Sequence, residues 1–224
     1  RRPPKPVAPP TRHRQRPALL RLHRVAGCHR TPDVTRGAGE TWGPGRVFGI
    51  VPLPDNQMYW FATESTPEGG HEADEKTAVL DRFGTWYPPI RECIDNTPAE
   101  SILRHDIYDL AKMPSTFVRN RTVLLGDAAH AMTPNLGQGA GQAIEDAATL
   151  VLLLRSGDIT AALARHDRIR RARTRTLWRQ SRLMGKAAQA ANSVAVHLRN
   201  SLLRATPPAI VSRSAARVAK WTSP

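Results

Sequence analysis

The stretch RTVLLGDAAHAMTPNLGQGAGQAIEDAATL, residues 121–150, carries the strongest structural signal of the chain. Residues 122–125 (TVLL) are uncharged and aliphatic or β-branched, which predicts a strand buried on both faces, as in a sheet covered by helices. Gly126 and Asp127 end this strand, and a loop rich in glycine follows. From Gln142 onward the apolar residues recur at helical spacing. The stretch therefore predicts a strand, a Gly-Asp turn, a glycine loop and a helix.

This turn and loop have the composition of a ligand-binding site. An acid directly after a buried strand lies at the carboxyl edge of the sheet, where Asp127 can accept hydrogen bonds from sugar or polyol hydroxyls. Gly137, Gly139 and Gly141 have no side chains, so a flat ligand can approach their backbone N–H groups closely. The positive end of the next helix stabilises negative charge on such a ligand. The spacing alone also allows an ordinary strand-to-helix turn whose glycines only let two elements pack.

The same residues resemble the Gly-Asp motif of FAD-dependent monooxygenases of the aromatic-hydroxylase type, especially the salicylate hydroxylase-like and zeaxanthin epoxidase-like enzymes. The resemblance extends upstream through ETWGPGRVFGIVPLPDNQMYWFAT (residues 40–63) and ILRHDIYDL (residues 102–110), and more weakly into the Arg-rich region after Leu154. It implies an α+β or α/β fold: an incomplete FAD-binding monooxygenase fold. This consists of a partial substrate-domain sheet, the strand, Gly-Asp loop and long helix of the FAD domain, and C-terminal helices.

The resemblance also implies which residues bind the cofactor FAD: Gly126, Asp127, Pro134, Gly137, Gly139, Ala140 and Gly141. Asp127 would bind the ribityl hydroxyls of the flavin, and Pro134 would pack near the reactive edge of the isoalloxazine. The glycines and Ala140 would lie along its pyrimidine end, where the helix dipole favours the anionic reduced flavin.

The implied activity is that of an oxidoreductase. NADPH or NADH reduces the flavin, O2 adds to it, and the flavin hydroperoxide hydroxylates or epoxidises an aromatic or polyene-like small molecule. Because the cofactor carries this chemistry, we assign no catalytic residue. His130 is predicted to be structural, since the sequence identifies no carboxylate partner for a catalytic dyad.

Two other motifs of the family do not occur in this sequence. None of the 15 glycines falls in a GxGxxG pattern, and there is no Asp-Gly pair. We therefore expect a C-terminal fragment that lacks the dinucleotide-binding half, whose strand at residues 122–125 lacks parallel neighbours. Such a chain is expected to bind FAD weakly or not at all by itself. The alternative is a non-catalytic remnant or a basic interaction protein with a structural Gly-Asp loop.

The segments upstream of the motif predict a β-hairpin, in which turn residues 52–56 join strands at residues 46–51 and 57–63. A polar loop at 65–72 and a helix at 73–87, ended by Pro88 and Pro89, are expected next. Residues 102–110 predict a further strand. The resulting domain assignment has four parts: an Arg/Pro-rich segment at 1–39, a partial substrate-domain sheet at 40–118, the FAD-binding Gly-Asp unit at 119–157 and basic helices at 158–224.

The net charge of +14 is concentrated at the two ends of the chain. Residues 1–39 contain ten Lys or Arg, one acid and seven prolines, so we expect no packed element there. This segment has three interpretations: a disordered terminus, a tail for nucleic acid or an anionic surface, or GC-rich DNA translated out of frame.

The second basic end, residues 155–224, has 15 Lys or Arg and two acids, and it predicts amphipathic helices. The expected buried face of the first consists of Ile159, Leu163, His166, Ile169 and Ala172. A second stretch runs from Leu183 to Leu203 and ends before Pro207 and Pro208. We favour helices that pack back on the domain over an RNA-binding surface or a helix on an anionic membrane.

Composition excludes several other classes of protein. No run of 18 apolar residues is present, and the start does not resemble a secretory signal. Cys28 and Cys93 are too few for a disulfide framework or a cysteine-based metal site, and no metal is expected. We expect a cytoplasmic protein whose partners are a small-molecule substrate and O2, without specific binding of nucleic acid.

Overall fold

The fold is described from a computed structural model. It describes the backbone of residues 12–22, and residues 38–224 apart from 56, 68 and 156. The chain divides into two compact units: one contains residues 108–185 and 206–224, and the other contains residues 16–107 and 186–205. Each unit combines segments that are distant in sequence, so the domain boundaries expected at residues 39, 118 and 157 remain predictions.

The second unit is built on a five-stranded sheet with the order β2-β3-β4-β1-β5. Its strands are β1 (Arg12–Leu22), β2 (Gly39–Gly43), β3 (Arg46–Pro52), β4 (Met58–Glu64) and β5 (Ile102–Leu110). β3 and β4 form the expected hairpin, with Val47 opposite Thr63 and Ile50 opposite Trp60, and β5 confirms the expected strand. β2 was not predicted. It pairs with β3 across a tight turn in which Gly45 has a φ of +67°, a conformation that favours glycine.

β1 contradicts the expectation that residues 1–39 contain no packed element. It pairs antiparallel with β4 through residues 18–21, which include the apolar run Ala18, Leu19 and Leu20. Pairing begins after Pro17, which has no N–H to donate. A neighbouring strand supplies hydrogen-bond partners that local composition does not reveal. The interpretations of residues 1–11 and 23–37 lie outside the described residues.

Two helices, α1 (Glu75–Phe83) and α2 (Pro88–Asp95), contribute to the hydrophobic core of this unit. Asp74 caps α1 by accepting hydrogen bonds from the N–H groups of Lys76 and Thr77. The helix is therefore shorter than the predicted range 73–87. Pro88 and Pro89 were expected only to end the preceding helix. They lie in the first turn of α2, where a missing N–H costs little, so they also begin a second helix.

Aromatic side chains fill the core between the sheet and these helices. The rings of Phe48 and Trp60 stack with centroids 5.1 Å apart, and Phe83 of α1 lies 5.7 Å from Phe48. Trp60 Nε1 donates a 3.0 Å hydrogen bond to the hydroxyl of Thr97, which in turn donates to the carbonyl of Cys93. The one polar group of this buried tryptophan is therefore satisfied.

The first unit begins with the short strands β6 (Val118–Arg119) and β7 (Thr122–Val123), which pair antiparallel. The strand expected at residues 122–125 is thus only two residues long. Its residues are exposed or half-buried, so the prediction of burial on both faces is wrong. The reason is tertiary: among the described strands, β6 is its only partner, so β7 is not part of a larger parallel sheet whose faces helices would cover.

Helices complete the two units: α3 (Asp127–His130), α4 (Gly139–Leu154), α5 (Ile159–Ala188), α6 (Ser193–Ala205) and α7 (Pro208–Ala219). The predicted stretch from Leu183 to Leu203 is two helices, because α5 ends at Ala188 and the side chain of Asn192 caps the start of α6. Pro207 and Pro208 precede and begin α7. No helix among the described residues has the length and apolarity needed to cross a membrane.

The buried face of α5 differs from the one expected. Leu163 and His166 are buried as predicted, but Ile159 and Ala172 are exposed. The buried positions continue instead through a largely polar stripe: Arg170, Thr174, Leu177 and Ser181. A search for apolar periodicity does not find such a face, because Arg170 and Ser181 are buried through hydrogen bonds to Asp146, Glu145 and Thr133 outside α5.

Candidate functional site

The Gly-Asp turn has a backbone geometry that requires glycine. Gly126 has a φ of +56° and a ψ of −139°, a conformation that other residues rarely adopt. A Cβ at this position would lie 3.2 Å from the Cβ of Ala143 on α4. Asp127 is the first residue of α3, and it is exposed rather than packed into the core. The turn is therefore held close to α4 while the carboxylate faces solvent.

The glycine loop leaves an open stretch of backbone. Gly137 is left-handed, with a φ of +62°, and a Cβ built at Gly137 or at Gly139 would meet no heavy atom within 4 Å. α4 begins at Gly139, three residues before the predicted start, so Gly139, Ala140 and Gly141 form its first turn. The N–H groups of a first turn have no partner within the helix, and the side chain of Gln138 does not cap them.

All seven predicted cofactor-binding residues thus lie on one continuous turn, loop and helix start of a single unit. Pro134 is half-buried in a 3₁₀ turn (Pro134–Leu136) directly before Gly137. The open backbone, the first-turn N–H groups and the exposed carboxylate of Asp127 fit a flat ligand that carries hydroxyls and an electronegative edge. No acidic residue lies in the first turn of α4 to compete for those N–H groups.

Sequence reasoning missed the buried polar cluster beneath this turn. Its centre is Asp146 on α4, which is completely buried together with His130. His130 Nε2 lies 2.6 Å from Asp146 Oδ2, and the same oxygen accepts the N–H of Gly126 at 2.8 Å. The sequence identified no carboxylate partner for His130, but the structure shows one, Asp146, 16 residues later on the next long helix.

Arg170 of α5 connects this cluster to the rest of the unit. Its guanidinium is fully buried, and its Nε donates to Asp146 Oδ1 at 2.6 Å. Its other nitrogens donate to Glu145 at 2.6 Å and to the side-chain oxygen of Gln142 at 2.7 Å. Arg173 forms a bidentate pair with Glu145, at 2.6 and 2.8 Å. Two carboxylates and two guanidiniums balance each other, which is how buried charges are tolerated.

These contacts determine the charge states of the cluster. Burial would raise the pKa of Asp146, but hydrogen bonds from His130, Arg170 and the N–H of Gly126 outweigh it and hold that pKa below its usual value. The pKa of Glu145 is likewise lowered, because Arg173 and Arg170 outweigh its burial. Burial lowers the pKa of His166, which packs against the carbonyl of Asp146. Both acids are therefore ionised at neutral pH, and His166 is neutral.

One sequence signal could have found this cluster. Gln142, Asp146 and Thr149 recur at helical spacing on α4 and are all completely buried. His166, Arg170 and Thr174 recur in the same way on α5. Two matching polar stripes on consecutive helices indicate a buried network, whereas a search for apolar residues passes over both. Within the part of the chain that the structure describes, no group of three His, Cys, Asp or Glu is arranged to hold a metal.

The chain is similar to known proteins in both sequence and structure. A family model described as an FAD binding domain matches residues 42–182. Aurachin C monooxygenase/isomerase of Stigmatella aurantiaca is 44% identical over 179 residues, which cover 77% of this chain and 46% of that enzyme. The 2-heptyl-3-hydroxy-4(1H)-quinolone synthase of Pseudomonas aeruginosa is 35% identical over 188 residues, covering 81% of this chain and 48% of the relative.

Solved structures give the same result for the fold. HpxO of Klebsiella pneumoniae, solved with FAD and uric acid, superposes with a TM-score of 0.83 at 25% identity, covering 94% of this chain and 54% of that one. A salicylate hydroxylase substrate complex superposes with a TM-score of 0.67 at 21% identity, covering 95% and 58%. This chain spans about half the length of the curated relatives it matches.

Proposed function

We propose a function from the premise that this chain belongs to the FAD-binding domain family of FAD-dependent aromatic hydroxylases and epoxidases. Membership confirms three expectations from the sequence: the resemblance itself, the FAD-binding monooxygenase fold class, and FAD as the cofactor of the family. Our proposal is that the chain provides the flavin-contacting turn and helix of such an enzyme. The enzyme would use NADPH or NADH and O2 in the cytoplasm to oxygenate an aromatic or polyene-like small molecule.

The observation that carries the proposal is the open backbone of the glycine loop in front of an uncapped helix. Gly137 and Gly139 leave space that any side chain would fill, and the first-turn N–H groups of α4 are directed outward from the helix start. We assign these groups to the electronegative edge of the isoalloxazine, where they stabilise negative charge. FAD, when bound, supplies the redox chemistry, and the protein supplies its position.

We assign the remaining residues by the chemistry they offer. Asp127 is exposed beside this loop, and its carboxylate accepts hydrogen bonds from the ribityl hydroxyls. Pro134, half-buried, gives the ring an apolar surface near its reactive edge. Gly126 places the turn against α4, where a Cβ would lie only 3.2 Å from the Cβ of Ala143. No residue in this assignment exchanges a proton with substrate, so the catalytic residues stay unassigned.

The relatives bear on the substrate class. Their names refer to aurachin C, a heptyl-hydroxyquinolone, urate and zeaxanthin. All of these names belong to small organic molecules, and the proposed substrate is one of the same kind.

The alternative function, a basic interaction protein, gains no support from four arginines of the C-terminal helices that are engaged within the chain, whereas Arg165, Arg168, Arg175 and Arg179 of α5 are exposed. Arg170 and Arg173 bind Glu145, and Arg182 binds Asp109. Arg199 is buried, and it donates to the carbonyl at the end of α5. Residues that are engaged within the chain are not available to phosphates.

FAD binding by the purified chain tests the proposal directly. Titration with FAD, followed by flavin fluorescence, is expected to give weak but saturable binding. Asp127→Ala should raise the Kd roughly 10- to 150-fold, since hydrogen bonds to a charged group contribute about 1.5–3 kcal/mol. Asp81→Asn is the matched control, because Asp81 is also an exposed acid but lies on α1, in the other unit.

The FAD titration can also contradict the proposal. Equal Kd values for the unmodified chain and for Asp127→Ala would contradict the assigned site. If binding is found, NADPH or NADH oxidation is then measured with FAD, O2 and candidate aromatic substrates, and a substrate-dependent increase is expected.

A further inference from the structure

The carboxylate of Asp146 brings together three segments of the chain. Its Oδ2 accepts the N–H of Gly126 at 2.8 Å and lies 2.6 Å from His130 Nε2, while its Oδ1 accepts Arg170 Nε at 2.6 Å. Asp146 has no exposed surface, so it can contact neither substrate nor solvent. The Gly-Asp turn, α3 and α5 therefore all bind one buried side chain of α4.

The turn at Gly126 needs an external support. Glycine has the largest conformational freedom of any residue, and this one adopts the unusual pair φ +56° and ψ −139°. Its carbonyl accepts the N–H groups of Ala129 and His130, which closes α3. Its N–H, on the other side of the residue, is directed to the side chain of Asp146. Without that acceptor, Gly126 would be held only by the hydrogen bonds to its carbonyl.

From this geometry we propose that Asp146 is a positioning residue, which holds the Gly126–Asp127 turn in the conformation that presents the Asp127 carboxylate to the flavin. The proposal rests on the proposed function for its consequence in FAD binding. Its structural content, that Asp146 fixes Gly126, stands separately and can be measured without FAD.

The chemistry of the cluster supports this role over simple packing. Burying ionised groups is costly, and well-packed apolar residues often hold two helices together equally well. A carboxylate adds what an apolar side chain lacks, which is an acceptor at a defined position for a backbone N–H. His130 contacts the same oxygen as Gly126, and Arg170 donates to the other oxygen of Asp146, so the side chain is held in one orientation toward the turn.

The variant Asp146→Asn tests the proposal, because it keeps the shape of the side chain and removes its charge. Asp109→Asn is the matched control: Asp109 is also a buried carboxylate that pairs with an arginine of α5, Arg182, but it has no contact with Gly126. Amide hydrogen exchange of Gly126, read by NMR on the full chain, is expected to be about tenfold faster in Asp146→Asn and unchanged in Asp109→Asn.

FAD titration of the same proteins provides the second measurement. We expect the Kd to rise about tenfold in Asp146→Asn and less than about twofold in Asp109→Asn, although both variants lose thermal stability. A purely structural role predicts the opposite: equal losses of Tm, equal Kd values and unchanged exchange at Gly126. That outcome overturns the proposal.

The two proposals fail separately. If Asp127→Ala leaves the Kd for FAD unchanged, the proposed function is contradicted; if the unmodified chain shows no saturable FAD binding, the exchange of Gly126 alone decides the role of Asp146. If Asp146→Asn does not fold, amide hydrogen exchange in the unmodified chain decides whether Asp146 has the proposed role. The Gly126 amide should then exchange at least about tenfold more slowly than that of Gly139 in the first turn of α4. Equal rates overturn the role of Asp146.

Discussion

Replacing Gly139 by alanine is expected to make the protein more stable and its flavin binding weaker. Gly139 is the first residue of α4, has no left-handed φ, and would carry a Cβ with no heavy atom within 4 Å. Alanine therefore fits the folded backbone without strain and reduces the freedom of the unfolded chain. The expected gain is about 0.4–1 kcal/mol, which raises the Tm of a chain of this size by roughly 1–4 °C.

The opposite effect is expected for FAD, because the new methyl group fills the space assigned to the flavin. Forcing an extra methyl group into a fitted contact typically costs about 1–3 kcal/mol, which corresponds to a Kd roughly 5- to 150-fold higher. Few substitutions at a structural glycine raise stability and lower affinity together. The combination therefore distinguishes a ligand cradle from an ordinary helix start.

Two measurements on the same protein samples check this prediction. Thermal unfolding is followed by circular dichroism without FAD, and the Kd for FAD is obtained by fluorescence titration. Gly157→Ala is a control with equal space, since a Cβ there also meets nothing within 4 Å, but it lies beyond the end of α4 and has a φ of +81°. It should lower Tm and leave the Kd unchanged. A Gly139→Ala protein that binds FAD as well as the unmodified chain would refute the assignment of this backbone to the flavin.

Three further predictions concern stability. Gly126→Ala should lower the free energy of unfolding by about 2–3 kcal/mol in urea, because alanine is strained at a φ of +56° and its Cβ would press on Ala143; a loss below about 0.5 kcal/mol would contradict the described turn. The neutral, buried His166 has a lowered pKa, so the unfolded chain takes up a proton below pH 6.5 that the folded chain refuses. The free energy of unfolding should therefore fall from pH 7 to pH 5 by up to about 1.4 kcal/mol per pH unit, and His166→Gln should remove that part of the slope; parallel profiles would count against a neutral His166. Finally, Thr97→Val should cost about 1–3 kcal/mol in urea unfolding, since it leaves the buried Trp60 N–H without its acceptor. FAD binding should not change, and a neutral effect on stability would argue against this hydrogen bond.

Local sequence was sufficient wherever neighbouring residues decide the conformation. The hairpin of β3 and β4 follows from two β-rich runs around a turn, and it forms with the expected pairing. The Gly-Asp turn was also located correctly, since a positive φ at Gly126 is a local requirement that glycine meets. The glycine loop is shorter than predicted, because α4 begins at Gly139. The family resemblance rests on this same stretch, which explains why it could be recognised from sequence.

Predictions failed where the decisive partner is distant in sequence. β1 pairs with β4, whose partner residues are 40 or more positions away, although its own composition predicts no packed element. The strand at residues 122–125 is short because no described strand lies parallel to it, whatever its aliphatic composition favours. The polar face of α5 is buried because Arg170 meets Glu145 and Asp146 on α4, and apolar periodicity contains no information about such pairs.

The sequence by itself therefore determined the family, the position of the turn and the glycines that leave its backbone open, because motifs and backbone conformations depend on residues close to one another. Only the tertiary structure decided what supports that turn. The hydrogen bond from Gly126 to Asp146 spans 20 residues, and the pair of Asp146 with Arg170 spans 24 more. Burial makes these contacts strong by excluding water, and burial is a property of the packed helices that no single segment contains.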